Sequence, residues 1–65
     1  MYEFAYARAL EAIAMGETRE DTREYITRHN RVGASTFERA AADALADALK
    51  QGVEREDVDP SWFAR

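Results

Sequence analysis

The sequence predicts an all-α fold, a small three-helix bundle with a short C-terminal helical turn, in a single domain over residues 1–65. Three observations carry that expectation. Apolar residues recur at helical spacing in separate stretches, and glycine with a hydroxyl residue close behind it marks both boundaries between them. A chain of 65 residues also reaches only the lower end of the single-domain size range.

The first helix is expected over about residues 2–15. Tyr6, Leu10 and Ile13 fall at i, i+4 and i+7 among five alanines, and Gly16 supplies the position past the end where a left-handed backbone stops a helix. "TRED" opens the second helix, expected over about 19–30. Thr18 is a good N-cap, Asp21 stands where a capping box places its acid, and Glu20 and Asp21 suit the positive end of the dipole. Its apolar stripe is only Tyr25 and Ile26, with Thr22 and His29 beside them, so this helix should be the least buried. Glu24 and Arg28, four residues apart, support it locally.

The third helix is expected over about 36–51, after a turn in which Gly33 takes a positive φ. Ser35-x-x-Glu38 reads as a capping box ahead of an apolar run. Phe37, Ala41, Ala44, Leu45, Ala48 and Leu49 make one wide stripe centred on Leu45, while Arg39, Asp43, Asp47 and Lys50 recur on the opposite face. Gly52 followed by Val53 predicts a Schellman ending, with Val53 folded back on the last turn. In the tail, 53–65, Asp59 caps a short turn that Pro60 opens. Trp62 is expected as a lid over a shallow groove beside Tyr25 and Ile26, leaving Phe63 more exposed and available to a partner, because neighbours in one turn point in different directions.

There is no cysteine, so no disulfide supplements a thin core, and a reducing compartment, the cytoplasm, is the expected location. Glu3, Arg8 and Glu11 interrupt the first segment where a secretory signal would be uncharged, and no apolar run approaches the roughly 18 residues of a membrane span. Thirteen acids against nine bases give a net charge of −4. The excess lies in the second half: residues 1–33 hold six acids and five bases, residues 34–65 seven acids and four bases. Charge attraction to nucleic acid or anionic lipid is therefore disfavoured.

His29 is the only histidine, and Glu24 precedes it by five residues, which matches neither Glu-x-x-His nor His-x-x-x-His. Ser35 is assigned to a cap and lies in no nucleophile elbow. The sequence carries no glycine-rich loop, Walker motif or zinc pattern. Carboxylates are plentiful, but shifting their pKa takes a cleft that so short a helical chain rarely encloses. The expectation is a protein that is not an enzyme, with no catalytic residue, cofactor or metal.

The segment "TREYITRHNRVGASTFERAA" resembles helix-turn-helix DNA-binding sequences, in which a helix, a glycine-containing turn and a Ser/Thr-rich helix start place a recognition helix in the major groove. The resemblance covers about a third of the chain. It implies that Ser35, Thr36, Glu38 and Arg39 face DNA, with Arg19, Arg23, Arg28 and Arg31 on the backbone. The same face continues into Asp43 and Asp47, which would meet phosphate.

Six acids, Asp43, Asp47, Glu54, Glu56, Asp57 and Asp59, have only Lys50 and Arg55 interspersed among them. Such a surface can imitate nucleic-acid charge and pair with arginines of a basic groove, and Phe63 beside it supplies an aromatic anchor. Size and charge thus point to a small acidic protein–protein binding module, an inhibitor or antitoxin-like modulator. Phage-encoded anti-defence proteins of the anti-CRISPR type belong to that class. The expected partner is a protein, for example a nucleic-acid-binding complex, with neither membrane nor nucleic acid contacted directly. The alternatives are a helix-turn-helix regulator and a self-associating assembly protein, for example a homodimer.

Overall fold

Capping and backbone hydrogen bonds divide the chain into three helices: α1 (Tyr2–Ala14), α2 (Arg19–His29) and α3 (Ala34–Lys50). Two single 3-10 turns follow, Arg55–Asp57 and Pro60–Trp62. This is the architecture of the computed structural model, which describes residues 1–63; positions 64 and 65 of the expected tail lie outside the described residues. The fold is all-α, in keeping with a three-helix bundle.

α1 stops as a Schellman motif. Gly16 has φ +78°, its N–H donates to the Ile13 carbonyl at 3.3 Å, and the Glu17 N–H reaches back to the Ala12 carbonyl at 3.0 Å. Thr18 then caps α2, its hydroxyl oxygen accepting from the Asp21 N–H at 3.1 Å. α3 ends in the same manner as α1, with Gly52 at φ +109° and the Val53 N–H donating to the Ala48 carbonyl at 3.0 Å.

The turn between α2 and α3 departs from expectation. α3 begins at Ala34, two residues early, with Gly33 as N-cap at φ −68° and ψ 158° and no side chain closing the cap. Ser35 is therefore inside the helix, and the Glu38 carboxylate turns away to accept from Arg19. The left-handed residue is Arg31, at φ 55°. The reason is positional: Asn30 is the C-cap of α2, so Arg31 occupies the next position, where helices commonly turn left-handed, whereas an N-cap needs only extended backbone.

The core is lined by alanine more than by bulky residues. Ala5, Ala9 and Ala12 of α1 and Ala40, Ala44 and Ala48 of α3 are buried, and the α1–α3 seam is the principal packing of the molecule. Ile13, Ile26, Val32, Phe37, Val58 and Trp62 fill the space around it. The expected stripes are thus rotated: Tyr6, Leu10, Leu45 and Leu49 are only partly buried and pack on the rim. Small side chains in the seam let two helices approach closely, which pushes larger ones to the flanks. α2 contributes just Thr22 and Ile26, so it is the least buried helix, as expected, with Tyr25 and His29 outside and their rings 4.7 Å apart. Among the described residues no helix is long and apolar enough to cross a membrane.

Candidate interaction surfaces

The tail forms the first surface. Asp59 caps its second turn by accepting from the Ser61 N–H at 3.0 Å, and Pro60 opens that turn. Ser61 in turn accepts from the Arg19 N–H at 2.8 Å, and the Trp62 indole N–H donates to the Glu17 carbonyl at 2.8 Å. Both bonds tie the tail to the link between α1 and α2 and to the start of α2. Trp62 is 5% exposed and is a lid as expected, and its indole N–H is anchored on the Glu17 carbonyl, a partner the sequence did not suggest. Tyr25 remains 44% exposed, with the Arg8 guanidinium 4.5 Å from its ring centre.

Between the returning tail and α3 lies an open groove of about 660 Å³. Ala42, Leu45, Ala46 and Leu49 floor it, Trp62 and Phe63 wall it, and Arg19 with Glu38 and Arg55 stand on its edge. The Arg55 guanidinium sits 4.0 Å from the Phe63 ring centre, and among the described residues Arg55 makes no ion pair. Neither helix 3's floor residues nor Arg55 stood out in the sequence as a site. Ala42 and Ala46, four apart on the outer side of the stripe, were the available signal, and only the folded-back tail turns that side into a groove.

The second surface is acidic, and the structure divides the expected set in two. Asp43 and Asp47 do not lie free on the face opposite the core. They stand beside the α1–α3 seam, where the Tyr2 hydroxyl donates to Asp43 and the Tyr6 hydroxyl donates to Asp47 at 2.7 Å. The two tyrosines stack with ring centres 6.1 Å apart, and the Arg39 guanidinium lies 5.2 Å from the Tyr2 ring centre. Hydrogen bonding to Asp43 and to Asp47, then burial, raise the pKa values of Tyr2 and Tyr6 above the ordinary phenol range. Asp59 is likewise engaged, and hydrogen bonds from Ser61 hold its carboxyl below the usual range. Glu54, Glu56 and Asp57 are different: all three are exposed, and none forms an ion pair among the described residues.

Of the positions implied by the helix-turn-helix resemblance, Glu38 accepts from Arg19 and Arg39 lies on Tyr2, whereas Ser35, Arg23, Arg28 and Arg31 are exposed and none of these three arginines forms an ion pair among the described residues. His29 is exposed against Tyr25. No family model, curated protein or solved structure matches the chain.

Proposed function

We propose that the chain is a small binding module that acts by protein–protein contact, with no chemistry of its own: an inhibitor or modulator of a protein with a basic surface. The observation that supports this reading is the tail ridge Glu54, Glu56 and Asp57, three exposed carboxylates without an ion-pair partner among the described residues. Carboxylates left in water retain their attraction for arginines of a partner, and they stand close in sequence to the half-buried aromatic Phe63. A nucleic-acid-binding protein of the cytoplasm is the partner class such a ridge fits, since its basic groove already accepts a polyanion. Phage antagonists of host defence exemplify this mode. Asp43, Asp47 and Asp59 belong to the fold's own hydrogen bonding, so the ridge carries the proposal without them.

The test uses a partner isolated from host extract with the tagged chain, followed by titration of the purified pair. Reversing Glu54, Glu56 and Asp57 to lysine is expected to weaken binding at least tenfold at low ionic strength, with helicity unchanged. Equal affinity for both proteins at low salt would remove the ridge from the interaction.

A further inference from the structure

Two bonds from the tail bracket a single residue. The Trp62 indole N–H donates to the Glu17 carbonyl and the Ser61 hydroxyl oxygen accepts from the Arg19 N–H, both at 2.8 Å; the residue between, Thr18, is the N-cap of α2. The Arg19 N–H is one of the donors that a helix start leaves without an intrahelical partner, and Thr18 itself satisfies another, on Asp21. The start of α2 is thus capped from two places, once by its own N-cap and once by a residue 42 positions later.

α2 has little else to hold it. It is 11 residues long, below the roughly 12–15 residues under which an isolated helix is marginal in water. Only Thr22 and Ile26 of its side chains are fully buried, and the Thr22 hydroxyl donates to the Thr18 carbonyl at 2.8 Å. α1 and α3, in contrast, hold each other through the alanine seam.

We propose that residues 58–62 are a strap on α2: strap and helix open and close as one unit, while the α1–α3 seam stays packed. Releasing the strap strips α2 of its outer cap and returns Val58 and Trp62, 3% and 5% exposed, to water. Unwinding the first turn of α2 displaces Glu17 and Arg19, the two partners of the strap. The charged tie from α2 to α3 runs through that same turn, since the Arg19 guanidinium pairs with Glu38 and lies 5.2 Å from the Phe37 ring centre. Each opening removes what holds the other element, which is the condition for one shared opening. The ridge Glu54, Glu56 and Asp57 lies between the Schellman turn that ends α3 and the strap, so its segment is anchored at both ends only while the strap is closed. A ligand that requires the closed segment therefore steadies α2 by reciprocity. The inference concerns the pure protein, so it stands or falls apart from any partner of the ridge.

Native-state hydrogen exchange, followed by NMR on the full chain, measures the coupling. In the parent, the Trp62 indole N–H and the backbone N–H groups of Val58 and Ile26 are expected to share one opening constant, at least about tenfold larger than that of Ala9 and Ala44 in the seam. Arg28→Gly weakens α2 at an exposed position with no ion pair among the described residues, and should speed the Trp62 indole N–H and the Ile26 N–H together by about fourfold. Trp62→Phe keeps an aromatic ring but deletes the donor to Glu17, and should speed Ile26 and Val58 together by about fivefold. An indole N–H unmoved by Arg28→Gly, an Ile26 N–H unmoved by Trp62→Phe, or seam amides that open as often as Ile26 in the parent would each overturn the inference.

Discussion

Arg31 holds a left-handed backbone, φ 55°, with its side chain exposed, whereas Gly33, two residues later, sits at an ordinary φ of −68°. The residue types are exchanged relative to what each backbone needs. Arg31→Gly relieves about 1–2 kcal/mol of left-handed strain against an entropic cost of about 0.5–1 kcal/mol, so a net gain of about 0.5–1 kcal/mol is expected in chemical denaturation. Gly33→Asp, in extended N-cap geometry with open space around the Cβ, should add a few tenths more by supplying the missing cap. A loss of stability from both changes would place the α2–α3 turn elsewhere. A second expectation concerns Tyr2 and Tyr6. Their folded pKa values are raised, so the stability they contribute is complete below about pH 10, the unfolded value, and is lost as pH rises through the folded values. Phenolate absorbance should therefore show both ionising late. Asp43→Asn and Asp47→Asn, which remove the adjacent negative charge, should bring each back toward the ordinary range.

Elements were the most legible level of the sequence, because glycine, threonine and proline act locally. Gly16, Thr18, Gly52, Asp59 and Pro60 all serve where their chemistry suggests. Ser35-x-x-Glu38 misled because a capping box is recognisable from spacing alone, while Glu38 is drawn off by Arg19, nineteen residues earlier in the chain. No local pattern reports such a partner. The tail shows the same limit: its cap was readable, but its docking point at Glu17 depends on where α3 aims the chain. Its attachment should also depend on pH. The Asp59 carboxyl is depressed by its Ser61 hydrogen bonds, so the stability it lends is present above the ordinary aspartate value, about 4, and is lost as pH falls through the lower folded value. Trp62 emission is expected to be blue-shifted and shielded from acrylamide at neutral pH, and to redden in acid below about pH 4. Asp59→Asn should flatten that acid transition; an emission red at every pH would mean the lid is open.

For the whole molecule, the candidate surfaces were less legible than the helices because both depend on how α1 meets α3. Hydrophobic scales rank tyrosine and leucine as core and alanine as filler, so the expected stripes took in Tyr6, Leu10 and Leu45 and left out the fully buried Ala9 and Ala40. The same rotation that buries alanine brings Tyr2 and Tyr6 onto Asp43 and Asp47, and it turns Ala42, Leu45 and Ala46 toward the tail as a groove floor. One packing choice thus sets both flanks of α3. A domain of 65 residues has a total stability of roughly 3–10 kcal/mol at typical values per residue, so the seam tolerates little. Ala44→Leu inserts three carbons between helices whose facing surface is alanine, and overpacking of this kind typically costs about 1–3 kcal/mol, more where the backbone must move. Forcing the helices apart also stretches both tyrosine–aspartate bonds. The expected outcome is a melting temperature lowered by more than about 5 °C together with Tyr2 and Tyr6 ionising in the ordinary range. Ala46→Leu makes the same chemical change on the groove side, where there is room, and should leave both measurements near the parent values. Equal effects from the two substitutions would mean that α3 presents a different face to α1.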